Sequence, residues 1–172
     1  MTLRTFLTQG ALALSALTFF TSCGQSSSRA AENAASAGVL QAVNRERVSR
    51  GLSKVTFDQG LKTLAADHSS FLVRNVYPQN QKPTREVAHA NFKSRAERAE
   101  KKKYQVLSEV VMIGYAGDLS AVPERTLQGW LNSPNHRRAI LNPRRRVMGI
   151  ETRLPSDQRY FVVGLLSDGQ VE

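Results

Sequence analysis

Cysteine is nearly absent from this chain of 172 residues: Cys23 stands alone, so no internal disulfide can form and thiol catalysis has no group to use in the folded part. The fold must be held by its core. Long apolar runs are also missing, because the stretch from Gly10 to Phe20 falls short of the roughly 20 apolar residues a membrane-crossing helix needs. There is no internal repeat and no His-Glu-x-x-His stretch, and neither Ser108 nor Ser133 sits in a Gly-x-Ser-x-Gly turn, which leaves a Ser-His-Glu hydrolase with little support. Acidic residues are scarce, 14 against 24 Lys and Arg, for a net charge of +10. The basic residues cluster at Lys101-Lys102-Lys103, Arg137-Arg138 and Arg144-Arg145-Arg146. Two uses of that charge stay open: a solvated face that keeps the protein soluble, and contact with an anionic lipid or polymer surface.

The N-terminus carries one basic residue, Arg4, then the short apolar stretch, then small polar residues before Cys23, the layout of a secretory signal over residues 1–22. Phe20-Thr21-Ser22-Cys23 resembles the lipobox of bacterial lipoproteins, with Phe20 where leucine is usual. On that reading Cys23 is the lipidation site and the mature N-terminus. Ordinary cleavage leaving a free thiol, and an uncleaved anchor, are the other two readings. Residues 23–35 are small and polar, with almost no large apolar side chain, and are expected to form a flexible tether. Residues 36–168 are long enough for one domain with a sizeable core, and 169–172 form a tail. Export places the protein outside the cytoplasm and removes nucleic acid as a partner. Gly24 gives no aspartate retention signal, so the outer membrane or cell surface is the expected location.

From Ser36 a helix is expected to run to Gly51, with Val39, Leu40 and Val43 on one face and Arg45, Glu46, Arg47 and Arg50 elsewhere. Asp58 is placed to cap a second helix, in which Leu61, Leu64, Ala65, His68, Phe71 and Leu72 recur at helical spacing. That puts His68 on the apolar stripe, as a core histidine with one hydrogen-bond partner rather than a catalytic group. Lys93 to Lys103 reads as an exposed helix, Val110 to Ile113 as an apolar run, and Pro123 as the opening of a helix burying Leu127, Trp130 and Leu131. Val147–Arg153 and Tyr160–Leu166 read as a hairpin. Helices first and paired strands late give an α+β fold, with helices packed against an antiparallel sheet.

Four stretches resemble the CAP (SCP-like) superfamily in its compact bacterial form. Asn44 to His68 is similar to its opening helix pair; Ala88-His89-Ala90-Asn91-Phe92 to the segment with its first cavity histidine; Ser108-Glu109-Val110-Val111 to the stretch with its glutamate. Trp130-Leu131-Asn132-Ser133-Pro134-Asn135-His136-Arg137-Arg138-Ala139-Ile140-Leu141 resembles its second histidine motif. The resemblance implies an α-β-α sandwich with a cleft where His89, Glu109 and His136 meet, Trp130 joining them in ligand contact. It also implies lipid or sterol binding in several relatives. Two departures stand out: Ser133 occupies the place of a second glutamate, and Val110 that of an asparagine.

If Ser133 caps the helix that Pro134 opens, His136 lies in its first turn, where the helix dipole disfavours an imidazolium. Neutral His89 and His136 with the Glu109 carboxylate suit a divalent ion such as zinc, although no cofactor is required. Three functions follow. The leading one is a membrane-tethered binding domain for a lipid, glycan or peptide, not an enzyme. The second is a zinc-assisted hydrolase with Glu109 as general base. The third is a structural or interaction protein, in which Glu109 ties the two histidines and stiffens the cleft.

Overall fold

The computed structural model describes residues 20–76, 83–155 and 158–171, with side chains from Ser28 onward. The expected signal therefore lies almost wholly outside the described residues. Among them, no helix is long and apolar enough to cross a membrane.

The chain opens with a long helix, α1 (Phe20–Ser49), and continues through β1 (Thr56–Phe57), α2 (Gln59–Asn75), α3 (Arg85–Ala88), α4 (Phe92–Glu100), β2 (Ser108–Tyr115), α5 (Val122–Leu131), α6 (Pro134–Ile140), β3 (Val147–Arg153) and β4 (Arg159–Ser167). The sheet order is β1-β3-β4-β2. The expected hairpin is present, Ile150 opposite Gly164, and β2 runs antiparallel to β4 with Val110 also opposite Gly164. The short edge strand β1 departs from an all-antiparallel sheet, pairing parallel with β3.

Each sheet face carries its own apolar core. On one side Val39, Ala42 and Val43 of α1, Trp130 of α5 and Ile140 of α6 pack on Val110, Met148 and Val162. On the other, Leu61, Leu64, Ala65 and Leu72 of α2 pack on Val111, Phe161 and Leu165. Fully burying a side chain of this size is worth about 1.5–3 kcal/mol, which fixes the three-layer arrangement without disulfides. At Gly149 a side chain would collide with the backbone of Leu61 and Lys62, so α2 can lie on β3 this closely only over a glycine. Asp58 caps α2 as expected, accepting a bond from the Leu61 amide at 2.7 Å.

Four expectations need correction. The first helix does not begin at Ser36. Its backbone is helical from Phe20, and within the supposed tether Glu32 and Ala35 are buried while Arg29 reaches Glu151 at 2.5 Å. An alanine-rich stretch has the highest helix propensity, and polar anchors substitute here for the missing large apolar groups. The tail is not free either: the Val171 amide donates to the Lys103 carbonyl, and Tyr104 bridges to Gln170. Trp130 is fully buried in the core of α1 and α5 and takes no part in the cleft. Arg47, expected away from the apolar face, is fully buried as well.

Candidate functional site

Three chain segments converge on one cleft. Thr84 caps the single turn of α3, which ends with His89 as its C-terminal cap, the His89 amide bonding back to the Arg85 carbonyl. Asn91, at φ 59°, reverses the chain into α4. That reversal aims Arg95 back at the start of β2, where it grips Glu109: Nε to Oε2 at 2.7 Å and Nη2 to Oε1 at 2.8 Å, while Nη1 donates to the Ala90 carbonyl at 2.6 Å. Both arginine and carboxylate are nearly inaccessible, so the two-point contact cancels the charge of each in a poorly hydrated place.

Glu109 Oε1 also accepts from His89 Nδ1 at 2.9 Å. A proton on Nδ1 leaves His89 Nε2 with a lone pair, and this nitrogen faces His136 Nε2 at 3.5 Å. The expected meeting of His89, Glu109 and His136 is thus a chain: Glu109 orients His89, and His89 faces His136. Below them lies His68, buried as the sequence indicates, its Nε2 donating to the Ala88 carbonyl at 2.7 Å and standing 3.8 Å from Glu109. Burial, the largest influence, pushes the His68 pKa down despite the nearby carboxylate. This ring supports the end of α3 and so positions His89.

His136 sits in the first turn of α6, where Ser133 occupies the cap position without a side-chain cap bond. Its pKa is pushed down to about 4, first by burial, then by His89 and Arg85, with Glu109 opposing. The ring is neutral as expected, but burial is the principal cause. The cleft holds about 430 Å³ and is lined by Arg85, Phe92, Leu107, Ser108, Ser133 and Asn135 besides His89, Glu109 and His136.

A zinc ion would find two nitrogen donors here and no free carboxylate, because Arg95 occupies both oxygens of Glu109. Among the described residues no group of three His, Cys, Asp or Glu is placed to hold a metal. Catalytic zinc ordinarily takes three protein ligands, so this donor set fits an exchangeable ion on His89 and His136 rather than a resident one, with Glu109 orienting His89 from behind. Arg95 itself was not legible as part of the site. Its signal was weak: it lies one turn before Ala99, and these two are the buried residues of α4.

The profile of the CAP (cysteine-rich secretory protein) family matches residues 40–165. An uncharacterized membrane protein of Bacillus subtilis (strain 168), YlbC, is 28% identical over 123 residues, which is 72% of this chain and 32% of that protein, so the chain spans about a third of its relative's length. An outer surface protein of Borrelia burgdorferi superposes with a TM-score of 0.57 at 20% identity, over 74% of this chain and 87% of that one. An extracellular protein containing a SCP domain from Bacillus anthracis str. Ames gives 0.57 at 22% identity, over 79% of this chain and 41% of that one. These structures share the fold.

Proposed function

The chain belongs to the CAP family, and on that premise we propose that it is an exported, envelope-tethered binding domain whose cleft at His89, Glu109 and His136 takes a lipid, glycan or peptide. The observation that carries the reading is the Arg95–Glu109–His89 chain. It holds a pair of facing imidazoles at the wall of an open cleft, fixed in orientation but with no reactive carboxylate exposed. Pockets built for binding combine apolar walls with a few fixed polar groups, and Phe92, Leu107 and Ala139 supply the apolar part. Export and tethering through a lipid on Cys23 are supported by the sequence before that residue, and by structural relatives described as outer surface and extracellular proteins. Protein extracted from its own membranes should carry a diacylglycerol at Cys23 by mass spectrometry, together with a co-purifying ligand that His136→Trp, which fills the cleft, displaces. Identical co-purifying species in both proteins would remove the cleft from the account.

The facing His89 and His136 nitrogens support a second reading, a zinc-assisted hydrolase. Zinc, when bound, supplies an acidified water as nucleophile. The role of general base then falls away from Glu109, whose lone pairs are directed at Arg95 and His89. Stoichiometric zinc binding lost in both His89→Ala and His136→Ala, with peptide or ester turnover, is the result this reading requires.

A further inference from the structure

Five exposed basic residues gather at one end of this protein, and a buried arginine organises that end. The Arg47 guanidinium donates to the carbonyls of Ser53, Ile140, Asn142 and Arg145, which draws together the end of α1, the loop after it and the α6–β3 connection. Around it Lys54, Arg137, Arg138, Arg144 and Arg146 are exposed, and none makes an ion pair among the described residues. Arg145, which is buried, takes Asp168 as its own partner and so removes the neighbouring carboxylate from play. The Lys101–Lys103 cluster lies beside Glu97 and Glu100, in a depression that Arg144 also borders, whereas Arg137, Arg138 and Arg146 do not line it. A shallow depression lined by Arg137, Arg138, Leu141, Asn142 and Pro143 lies on one side of α6, while His136 and Ala139 of the same helix line the cleft. At the cleft, Arg85 is the one cation facing it without an ion pair among the described residues, since Arg95 is cancelled by Glu109.

We propose that this basic end docks an extended acidic glycan, which lies across Arg137, Arg138 and Arg146 and passes over α6 to the cleft at Arg85. The assignment deepens the binding reading above and rests on it for the envelope location. Polymer is favoured over a lipid surface by the length of α1. Cys23 lies in its first turn, and the basic residues gather at its far end, about 40 Å away at 1.5 Å per residue. A membrane holding Cys23 by a lipid is thus several Debye lengths, each about 8–10 Å, from those arginines when α1 stands away from it. Repeated carboxylates or phosphates on a chain are the complement of a row of unpaired guanidinium groups, and Ser133 and Asn135 at the cleft offer hydroxyl and amide contacts to sugar.

The test uses the full chain, purified from its membranes, with polygalacturonate as probe. Arg137→Glu/Arg138→Glu/Arg146→Glu should weaken polygalacturonate binding by about tenfold or more, and the glutamine triple by less. Lys101→Glu/Lys102→Glu/Lys103→Glu, which changes the net charge equally, should leave it within about twofold. An equal loss in both glutamate triples means that net charge alone acts, and overturns the docking face. A preference for phosphatidylglycerol over phosphatidylcholine vesicles that the arginine triple loses, with polygalacturonate binding retained, assigns the face to a membrane and overturns the glycan. Unchanged thermal unfolding of the glutamine triple separates lost docking from lost fold. The cleft and tether fail separately: His136→Trp protein that keeps its co-purifying species, or an unmodified Cys23, sinks that reading while the arginine dependence stands.

Discussion

Four arginines are buried among the described residues, and two of them, Arg47 and Arg95, are compensated in opposite ways. Arg47 faces four backbone carbonyls and no carboxylate, whereas Arg95 faces the two oxygens of Glu109. Carbonyl dipoles satisfy the guanidinium hydrogens but do not cancel the charge. The Arg47 pKa is accordingly lowered, first by burial and then by Arg146 and Arg145. Burial also lowers that of Arg95, with Glu109 opposing it. One arginine therefore leaves its end of the molecule positive and the other leaves its cleft nearly neutral. Arg47→Met should break the first arrangement and cost the most, on the order of 5 kcal/mol in urea unfolding, because several carbonyls lose their donor at once. A loss below about 1 kcal/mol would mean that water replaces the guanidinium freely.

Arg95→Met tests the other half. It strands a buried carboxylate beside His89, so a loss of about 3 kcal/mol is expected, and the double variant Arg95→Met/Glu109→Leu should recover most of it, because removing both partners removes the desolvation cost as well. Freed of Arg95, Glu109 still lies on the Nδ1 side of His89, away from the two Nε2 nitrogens that face each other, and gains no place on an ion held there. Zinc affinity by calorimetry should therefore stay within about threefold in Arg95→Met. A rise of about tenfold would falsify the claim that Glu109 only orients His89 from behind.

Acid sharpens the contrast further, because the cleft titrates. His136 is held at about 4 against an ordinary value near 6.5, so the unfolded chain binds its proton first as pH falls. Its contribution is present in full above about pH 6.5 and is lost as pH drops toward 4; His68, also shifted down, acts in the same direction. The cost for His136 is on the order of 2 kcal/mol, below the full value of the shift because the ring is partly solvated. His136→Asn should flatten the fall in stability between pH 6.5 and 4.5, whereas Arg137→Gln, at the basic end, should leave its slope unchanged.

The same contrast explains what could be read in advance. The Asp58 cap and the β3–β4 hairpin depend on neighbours close in sequence, and both were legible; the neutral His136 was read from the nearby helix end, whereas burial and the distant His89 and Arg85 are its causes. Arg47 was misplaced although Val39 and Val43 precede it at four-residue intervals, which sets it on the buried stripe of α1. A charged residue at such a position looks like a solvated one until its carbonyl partners, most of them far away in the chain, are known. Arg95 was hidden in the same way inside an alternating run of charges. Trp130 was read both as a buried residue of α5 and as a ligand contact; its ring is fully buried in the core and does not line the cleft, so the first reading holds and the second does not. Residues 29–35 carry polar anchors, Arg29 to Glu151 and Glu32 to Arg153, that composition alone does not reveal.

The smallest effect belongs to the departure at Ser133. Its side chain makes no cap bond and lines the cleft, so Ser133→Glu should change stability by no more than about 0.5 kcal/mol. Its electrostatic effect should be easier to see. A carboxylate there would meet Arg85 and His136 in a cleft whose existing carboxylate is already cancelled, and it would raise the His136 pKa from about 4 toward the ordinary range. Histidine titration by NMR reads this directly. The arginine-rich end should keep its affinity for polygalacturonate in this variant, whereas any contribution from Arg85 should weaken. A His136 titration that stays near 4 would show that position 133 does not share the cleft's field, and that the missing glutamate has no electrostatic consequence for the imidazole pair.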